Sequence, residues 1–201
     1  MNNKTLVIYA HPSKDWHCGT ILKKVISELR IKKIDFEVLD LYAMKFNPLL
    51  QVSEHFSTKG WKVLPDVLKI QKKITESDRL IFIYPIWWYS MPAMMKGFYE
   101  RVLSSGFAYK YKRIFFGKIR YSQKLLKGKK AVYINTSGSA KSYFLFVPML
   151  WANALITCGT IRMFSGIKYK IFHHGNAYWL TDEVKVKLDK VAIRAVKWLY
   201  R

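Results

Sequence analysis

The chain has 201 residues, of which 51% are hydrophobic, so it is long enough for a substantial core and too apolar for a disordered chain. The formal net charge of +22 is spread along the chain without an arginine-rich arm, zinc-ligand spacing or RNA-binding motif, which argues against a specific nucleic-acid binder. Two cysteines, Cys18 and Cys158, exclude a disulfide scaffold and fit a reducing compartment, so we expect a cytoplasmic protein with one domain over residues 1–201.

Apolar runs and helical periodicities alternate in the first half of the chain. KTLVIYA (Lys4–Ala10) predicts a buried strand, and FEVLDL (Phe36–Leu41) predicts a second. Apolar residues at helical spacing between them predict a helix from about Gly19 to Lys33. A long connection leads to a predicted helix near Val63–Thr75, and RLIFIYP (Arg79–Pro85) predicts a third strand.

The alternation continues in the second half. Pro92 begins a predicted helix that runs to about Leu103, because proline suits the first helical position. KKAVYIN (Lys129–Asn135) predicts a fourth strand, and Thr181 is a good N-cap for the last helix. The basic segment between the third and fourth strands, residues 110–130, carries no recognisable element.

One uncharged stretch, SYFLFVPMLWANALITCGTI, is long enough to suggest a membrane span. It contains Pro148, Asn153 and Gly159, and no second such segment exists. We therefore predict a helix over about Tyr143–Ile156 followed by a fifth strand within Thr160–Ile167, and no transmembrane segment.

Alternating strands and helices predict an α/β fold with a parallel sheet. Ligands bind such sheets beyond the carboxyl ends of the strands. The loops there read HPSKDWHCG after the first strand, PIWWYSMP after the third and NTSGSAKS after the fourth. These three loops are the predicted functional site.

Each loop has a functional and a plain interpretation. The first leads into a helix N-terminus, which suits a phosphate, although it lacks G-x-G-x-x-G and Walker patterns and could be an ordinary capped turn. The second could cover a flat ring with its aromatic residues, or these could belong to the core or a dimer interface. The third could approach a planar ligand closely or be a simple turn. Together, the three loops fit a flavin nucleotide in a flavodoxin-like domain.

Several segments resemble the flavodoxin-like NAD(P)H:quinone oxidoreductases of the DT-diaphorase and modulator-of-drug-activity type. PIWWYSMPAMMKGFYERV (Pro85–Val102) resembles the family's PLQWFGVPAILKGWFERV without gaps. YAHPS (Tyr9–Ser13), DLYAMKFNP (Asp40–Pro48), GFAYKY (Gly106–Tyr111) and NTSGSAKSY (Asn135–Tyr143) are similar to further family segments in the same order. The resemblance implies a three-layer, doubly wound, five-stranded parallel sheet.

The resemblance also implies the cofactors, partners and site residues. The cofactor is expected to be FAD, or alternatively FMN as in some short bacterial members, with NAD(P)H as electron donor and a quinone or similar molecule as acceptor. Family members are homodimers whose active sites draw on both chains. Tyr143 is expected to be catalytic, near the flavin oxygen that takes up charge, and Tyr109 and Tyr111 are expected to line the substrate pocket. The expected cofactor-binding residues are His11, His17, Cys18, Pro85, Ile86, Trp87, Trp88, Tyr89, Asn135, Thr136, Ser137 and Gly138.

The chain departs from the family in three places. The third loop has Ser137 before Gly138 where better-known members have two glycines, and the first loop has Trp16, His17 and Cys18 where the family often has a Phe-Asn pair. No histidine follows Tyr143 within a few residues, so charge stabilisation is expected to rest more on Tyr143 and backbone dipoles. The adjacent His173 and His174 have no nearby ligand pattern, so we expect a loop or pocket-wall role and no metal.

The expected function is therefore two-electron reduction of quinones or related electrophiles by NAD(P)H through ping-pong hydride transfer. An alternative is a flavin-binding accessory subunit of a potassium-efflux membrane system, in which the flavin is sensory. An electron-transfer flavodoxin is a further alternative, but flavodoxins are usually acidic and have a Ser/Thr-rich phosphate loop.

Overall fold

The structure is a computed structural model that describes residues 4–55, 57–114, 119–140, 159 and 161–201. The strands that form its main sheet are β1 (Thr5–Tyr9), β2 (Phe36–Asp40), β3 (Arg79–Pro85), β6 (Lys130–Thr136) and β7 (Lys168–His174). They lie in the order β2-β1-β3-β6-β7, and every neighbouring pair is parallel. The predicted fold class, a five-stranded parallel α/β sheet of the flavodoxin type, is confirmed.

Helices cover both faces of this sheet. The helices α1 (His17–Ile31) and α4 (Asp182–Leu199) pack on one face, and α2 (Pro65–Glu76) and α3 (Ala93–Val102) pack on the other. Side chains alternate between the two faces along each strand, so Leu6 and Ile8 join the α2/α3 core while Val7 and Tyr9 join the α1/α4 core. The result is three layers, with the sheet between two pairs of helices.

The helix ends agree with the capping chemistry in the sequence. Thr181 Oγ1 accepts a hydrogen bond from the Val184 amide at 3.3 Å, so the predicted start of the last helix is confirmed. Pro92 stands at the N-cap of α3 rather than at its first helical position. Both helices begin within one residue of the predicted position.

A short antiparallel hairpin was not foreseen from the sequence. Strands β4 (Tyr109–Ile114) and β5 (Ile119–Lys124) pair with Tyr109 opposite Lys124. They occupy most of the basic segment for which no element was predicted. Its alternation of aromatic and basic residues is the pattern of a two-stranded ribbon with much of its surface in water.

The fifth strand of the sheet lies later than predicted. Residues 161–165 are helical, Gly166 has φ of +81°, and β7 begins only at Lys168, so the prediction of a strand within Thr160–Ile167 is wrong. Strand β7 is an edge strand whose Lys168 and Lys170 alternate with apolar residues, which hides it from a search for continuous apolar runs. The predicted helix over Tyr143–Ile156 lies outside the described residues.

A buried ion pair fixes the long connection between β2 and α2. Arg101 Nε lies 2.8 Å from Glu54 Oε2, and the two side chains are only 1% and 4% exposed. Arg101 Nη1 also donates to the Asn47 carbonyl at 2.7 Å and to the Asp66 carboxylate at 2.9 Å. Helix α3 therefore holds the connection at Asn47 and Glu54 and also contacts the start of α2 at Asp66.

Candidate functional site

The three predicted loops meet at the carboxyl edge of the sheet. Strand β1 pairs with β3 so that Tyr9 is opposite Ile83, and β3 pairs with β6 so that Pro85 is opposite Thr136. Consequently the loops after Tyr9, Pro85 and Thr136 begin side by side. The Ile86 amide donates to the Thr136 carbonyl at 2.7 Å, which ties the second loop to the third.

Two adjoining cavities between these loops form one cleft, which we call the edge cleft. The first cavity measures about 140 Å³ and is lined by His11, Trp16, His17, Cys18, Pro85, Ile86, Trp87, Thr136, Ser137, Gly138 and Ala177. The second measures about 340 Å³ and is lined by Ile86, Trp88, Tyr89, Ser137, Gly138, Ser139 and Tyr178. The cavities share Ile86, Ser137 and Gly138. All the predicted cofactor-binding residues except Asn135 therefore line the edge cleft.

The first loop folds tightly over the start of α1. Its His11 Nδ1 lies 2.6 Å from the Ser13 carbonyl oxygen and 3.0 Å from the Ser13 amide nitrogen. Gly19 lies so close beneath the loop that a Cβ there would be 1.9 Å from the Lys14 carbonyl oxygen. The N-cap residue Trp16 makes no side-chain capping bond, and the first turn of α1 has no acidic residue. The amides of this turn are thus available to an anion in the cleft.

The second loop is a tight turn in the left-handed region of backbone conformation. Trp88 and Tyr89 have φ of 49° and 57°, and the main chains of Trp87 and Ser90 exchange hydrogen bonds of 2.9 and 3.0 Å. The geometry is that of a hairpin turn whose central residues are ordinarily Asn or Gly. Its closing bonds use the amides of Trp87 and Ser90, so those of the two central residues are not needed to close the turn. The indole of Trp88 is 96% exposed.

The third loop is held by the segment that follows β7. The Ser137 amide donates to the His174 carbonyl at 3.0 Å, and the Ala177 amide donates back to the Ser137 carbonyl at 2.9 Å. His173 Nδ1 lies 2.6 Å from Asn135 Oδ1. Asn135 belongs to the lining of neither cavity, and its contact with His173 ties the start of the third loop to strand β7.

Residues of the β7–α4 segment were missed by the sequence analysis. Ala177 and Tyr178 line the edge cleft, and a Cβ on Gly138 would lie 3.3 Å from the Tyr178 ring. His173 and His174 stand at the end of a strand, the one whose position was predicted wrongly. With that strand placed at 168–174, the segment GNAYW that follows it becomes a fourth loop at the same edge and a predictable part of the site.

Burial sets the ionisation of the groups at the first cavity. Burial lowers the pKa of His11, His17 and His174 below the usual value for histidine. Burial also raises the pKa of the Cys18 thiol to about 12, and its Sγ lies 3.4 Å from Thr136 Oγ1. At neutral pH the histidines are therefore neutral, and Cys18 is a protonated thiol with no nucleophilic role.

The predicted substrate-binding tyrosines lie outside the edge cleft of this chain. Tyr109 and Tyr111 are in van der Waals contact range, with ring centroids 5.4 Å apart, on strand β4. They line a separate apolar cavity of about 240 Å³ with Tyr99, Leu103, Ala108, Ile161, Phe164 and Ser165. This cavity shares no lining residue with the edge cleft. The predicted catalytic residue Tyr143 lies outside the described residues.

Metal sites and membrane-spanning helices were both considered from the sequence. Within the ranges that the structure describes, no group of three or more histidine, cysteine or acidic side chains could hold a metal ion. In those same ranges no helix is long and apolar enough to cross a membrane. The uncharged segment for which a span was considered lies almost wholly in residues 141–158, outside them.

The residues of the edge cleft suit the chemistry of a flavin nucleotide. One end has the N-terminus of α1, which suits a phosphate, and beside it the buried Nε2 of His17, which has no hydrogen-bond partner within the described residues. The other end has aromatic side chains, main-chain amides in a tight turn and small polar residues, which suit a flat heterocycle with a polar edge.

Comparisons with known proteins agree with this assignment. The family described as having a flavodoxin-like fold matches residues 3–169. NAD(P)H dehydrogenase [quinone] 1 of guinea pig (Cavia porcellus) is 33% identical over 158 residues, which cover 70% of this chain and 55% of that enzyme. The uncharacterised NAD(P)H oxidoreductase YcaK of Escherichia coli K12 is 28% identical over 169 residues, covering 80% of this chain and 86% of YcaK.

A solved structure gives the same result over almost the whole chain. The protein Smu.1420 of Streptococcus mutans UA159 superposes with a TM-score of 0.77 and 30% identity, covering 96% of this chain and 99% of that one. The chain spans little more than half of the guinea pig enzyme. The family match, over residues 3–169, covers most of this chain. The chain therefore belongs to the flavodoxin-like family that includes the NAD(P)H:quinone oxidoreductases.

Proposed function

We propose that the protein is a flavin-dependent NAD(P)H:quinone oxidoreductase. The observation that carries this proposal is the edge cleft, which combines an anion-binding helix N-terminus with an aromatic turn at one sheet edge. Its relatives in animals and bacteria are named as NAD(P)H dehydrogenases or oxidoreductases, which favours an enzyme over an accessory subunit. The flavin, when bound, supplies the chemistry by accepting two electrons from NAD(P)H and passing them to the acceptor.

The residues of the cleft would bind and orient the cofactor. The amides of the first turn of α1, with His11 and His17, hold its phosphate end. The turn at Trp88 and Tyr89 would offer main-chain N–H groups to the polar edge of its ring, where such preorganised donors are worth about 3 kcal/mol each. Gly138 lies against Tyr178, because a Cβ at this position would be only 3.3 Å from the Tyr178 ring, so the small residue keeps this wall of the cleft thin.

The cofactor is proposed to be FAD, with FMN as the alternative. The phosphate end of the cleft accepts either nucleotide, because both carry a phosphate ester at the same distance from the ring. The net charge of +22 attracts anionic NAD(P)H as well as the cofactor. We assign no preference between NADH and NADPH.

We further propose a homodimer whose sites draw on both copies. Tyr109 and Tyr111 line a cavity that is separate from this chain's own edge cleft. They can serve as substrate-binding residues if a second copy presents them to the cleft. Tyr143 is proposed as the catalytic hydroxyl on its place in NTSGSAKSY alone.

The function is tested by anaerobic mixing of the flavin-loaded protein with NADH or NADPH, followed by menadione. We expect the visible flavin absorbance to bleach with NAD(P)H and to return with the quinone. The Tyr143→Phe variant should bleach more slowly at unchanged flavin content, with Tyr121→Phe, on the exposed hairpin, as its control. Flavin that is bound but not bleached by either nucleotide would contradict the oxidoreductase proposal.

A further inference from the structure

At the phosphate end of the edge cleft, the lining residue His17 stacks on a second histidine, His174. The rings of His17 and His174 are stacked with centroids 6.3 Å apart and an interplanar angle of 27°. His17 is the first residue of α1, is 4% exposed and lines the first cavity. The Nε2 atoms of both rings are buried and have no hydrogen-bond partner within the described ranges. Buried polar atoms are rarely left unsatisfied, so the Nε2 of His17, which lies at the first cavity with a second such ring stacked on it, indicates a binding role.

The tautomer of His17 follows from its surroundings. The ring of His17 makes a hydrogen bond with the backbone of Trp179 that favours the protonated imidazole, so the partner is the Trp179 carbonyl. Because Nε2 has no partner, Nδ1 carries the proton of this bond. In the neutral ring Nε2 then carries a lone pair instead of a proton, and this lone pair repels an anionic oxygen. His17 can bind an anion through Nε2 only after it takes up a proton.

The charged and titratable neighbours keep the pair neutral before an anion arrives. Burial, and after it His11 on the first loop, lowers the pKa of His17. Burial, then His17 and then Lys187 of α4, lowers the pKa of His174. The first turn of α1 contributes no acid. An incoming phosphate is therefore the group that can stabilise a positive charge at this place, and the repulsion between the rings limits the pair to one proton.

We propose, resting on the flavin-binding function above, that His17 and His174 form a proton-linked phosphate site. His17 takes up one proton from solvent and donates Nε2–H to the phosphate ester of the flavin nucleotide. His174 is a positioning residue that stacks on the His17 ring and stays neutral. No bond to phosphorus is made or broken, so the ligand leaves unchanged when the proton is released.

Calorimetry measures the proton directly. Apoprotein is titrated with FMN at pH 7.5 in Tris and in HEPES, two buffers of different ionisation enthalpy, so that the difference in heat gives the number of protons taken up. At this pH the FMN phosphate is already a dianion, since its second pKa is about 6. We expect an uptake of roughly half to one proton with FMN, because an adjacent opposite charge raises a histidine pKa by about 1 to 3 units. Riboflavin, which has no phosphate, should give none, and FAD serves as the third arm.

Variants assign the proton to a residue. His17→Asn should bind FMN more weakly and without proton uptake, whereas His174→Phe, which keeps a stacked ring, should retain the uptake. His55→Asn is the control, because His55 is exposed and lies outside the edge cleft. FMN binding without proton uptake would overturn the inference, as would equal uptake with riboflavin or undiminished uptake in His17→Asn. Uptake that is lost in His174→Phe and kept in His17→Asn would refute the assignment to His17.

A second probe separates this inference from the proposed function. Inorganic phosphate is added to the apoprotein while the imidazole NMR signals of the histidines are followed against pH. The titration midpoint of His17 should rise with phosphate and that of His55 should not. An unchanged His17 midpoint would overturn the phosphate site. A shifted midpoint in a protein that binds no flavin would leave the anion site standing and reject the flavin function.

Discussion

His173 Nε2 lies 3.1 Å from Ser137 Oγ and links strand β7 to the third loop of the edge cleft. The same ring contacts Asn135 through Nδ1 at 2.6 Å. Asn135 is the last residue but one of β6, so one imidazole bridges the end of that strand and the loop that leaves it. The third loop therefore depends on a residue about 36 positions away in sequence.

Replacing His173 should weaken flavin binding without unfolding the protein. In His173→Phe both hydrogen bonds are lost and Asn135 is left without this partner. At about 1 kcal/mol for each bond, the flavin dissociation constant should rise roughly tenfold or more. Quenching of flavin fluorescence by apoprotein measures it, with the exposed His55→Phe as control. A dissociation constant within twofold of wild type would show that the bridge does not support the loop.

Gly19 and Gly97 both leave no space for a side chain, but only Gly19 should affect flavin binding. A Cβ would lie 1.9 Å from the Lys14 carbonyl oxygen at Gly19 and 2.1 Å from the Pro48 carbonyl oxygen at Gly97. Alanine at either site should lower the free energy of unfolding by about 1 to 3 kcal/mol, as overpacking generally does. Only Gly19→Ala displaces the phosphate loop, so only it should also weaken flavin binding. Equal losses of flavin affinity in both variants would argue against a specific role for the first loop.

The buried pair of Arg101 and Glu54 should matter far more than an exposed one. Arg101→Met leaves the Glu54 carboxylate buried without its partner, which should cost about 3 to 5 kcal/mol of unfolding free energy. Lys96→Met removes the exposed pair of Lys96 with Glu100 and should cost less than about 1 kcal/mol. Urea denaturation measures both. Similar losses would mean that water reaches the Arg101 site.

The aromatic turn should become more stable when its strain is removed. Trp88 has φ of 49° and an indole that is 96% exposed, so glycine loses little packing there and relieves an unfavourable conformation. Trp88→Gly should raise the unfolding free energy by up to about 1 kcal/mol, since a left-handed residue costs roughly 1 to 2 kcal/mol. Thermal unfolding of the apoprotein tests this, with Trp179→Gly as the exposed aromatic control. A lower melting temperature would show that the indole is held by contacts.

The sequence predicts the parts of the fold that depend on local pattern. Strands β1 and β3 are continuous apolar runs because both of their faces are buried. The start of α4 is predictable because Thr181 is a favourable N-cap residue. Strand β7 was misplaced because it lies at the edge of the sheet, where lysines interrupt the apolar pattern. The β4–β5 hairpin was missed because exposed lysines interrupt its apolar pattern, although Tyr109 packs against the core.

The sequence predicts the site residues that follow a correctly predicted strand. Loops after neighbouring parallel strands must meet, so His11, Trp87 and Ser137 could be placed together from the sequence. Tyr178 and Ala177 could not be predicted as cleft residues without the correct position of β7, the strand that they follow. The direction of the Asn135 side chain required its partner, His173, which only the tertiary structure brings near.

The flavin content of the purified protein tests the central claim most directly. The account predicts a yellow protein, or an apoprotein that turns yellow on reconstitution, that releases FAD or FMN at about one per chain when denatured, as one site per chain requires. Gly138→Leu, which fills the cleft against Tyr178, should abolish the colour, whereas Ser122→Leu on the hairpin should keep it. A folded wild-type protein that takes up neither flavin would contradict the account.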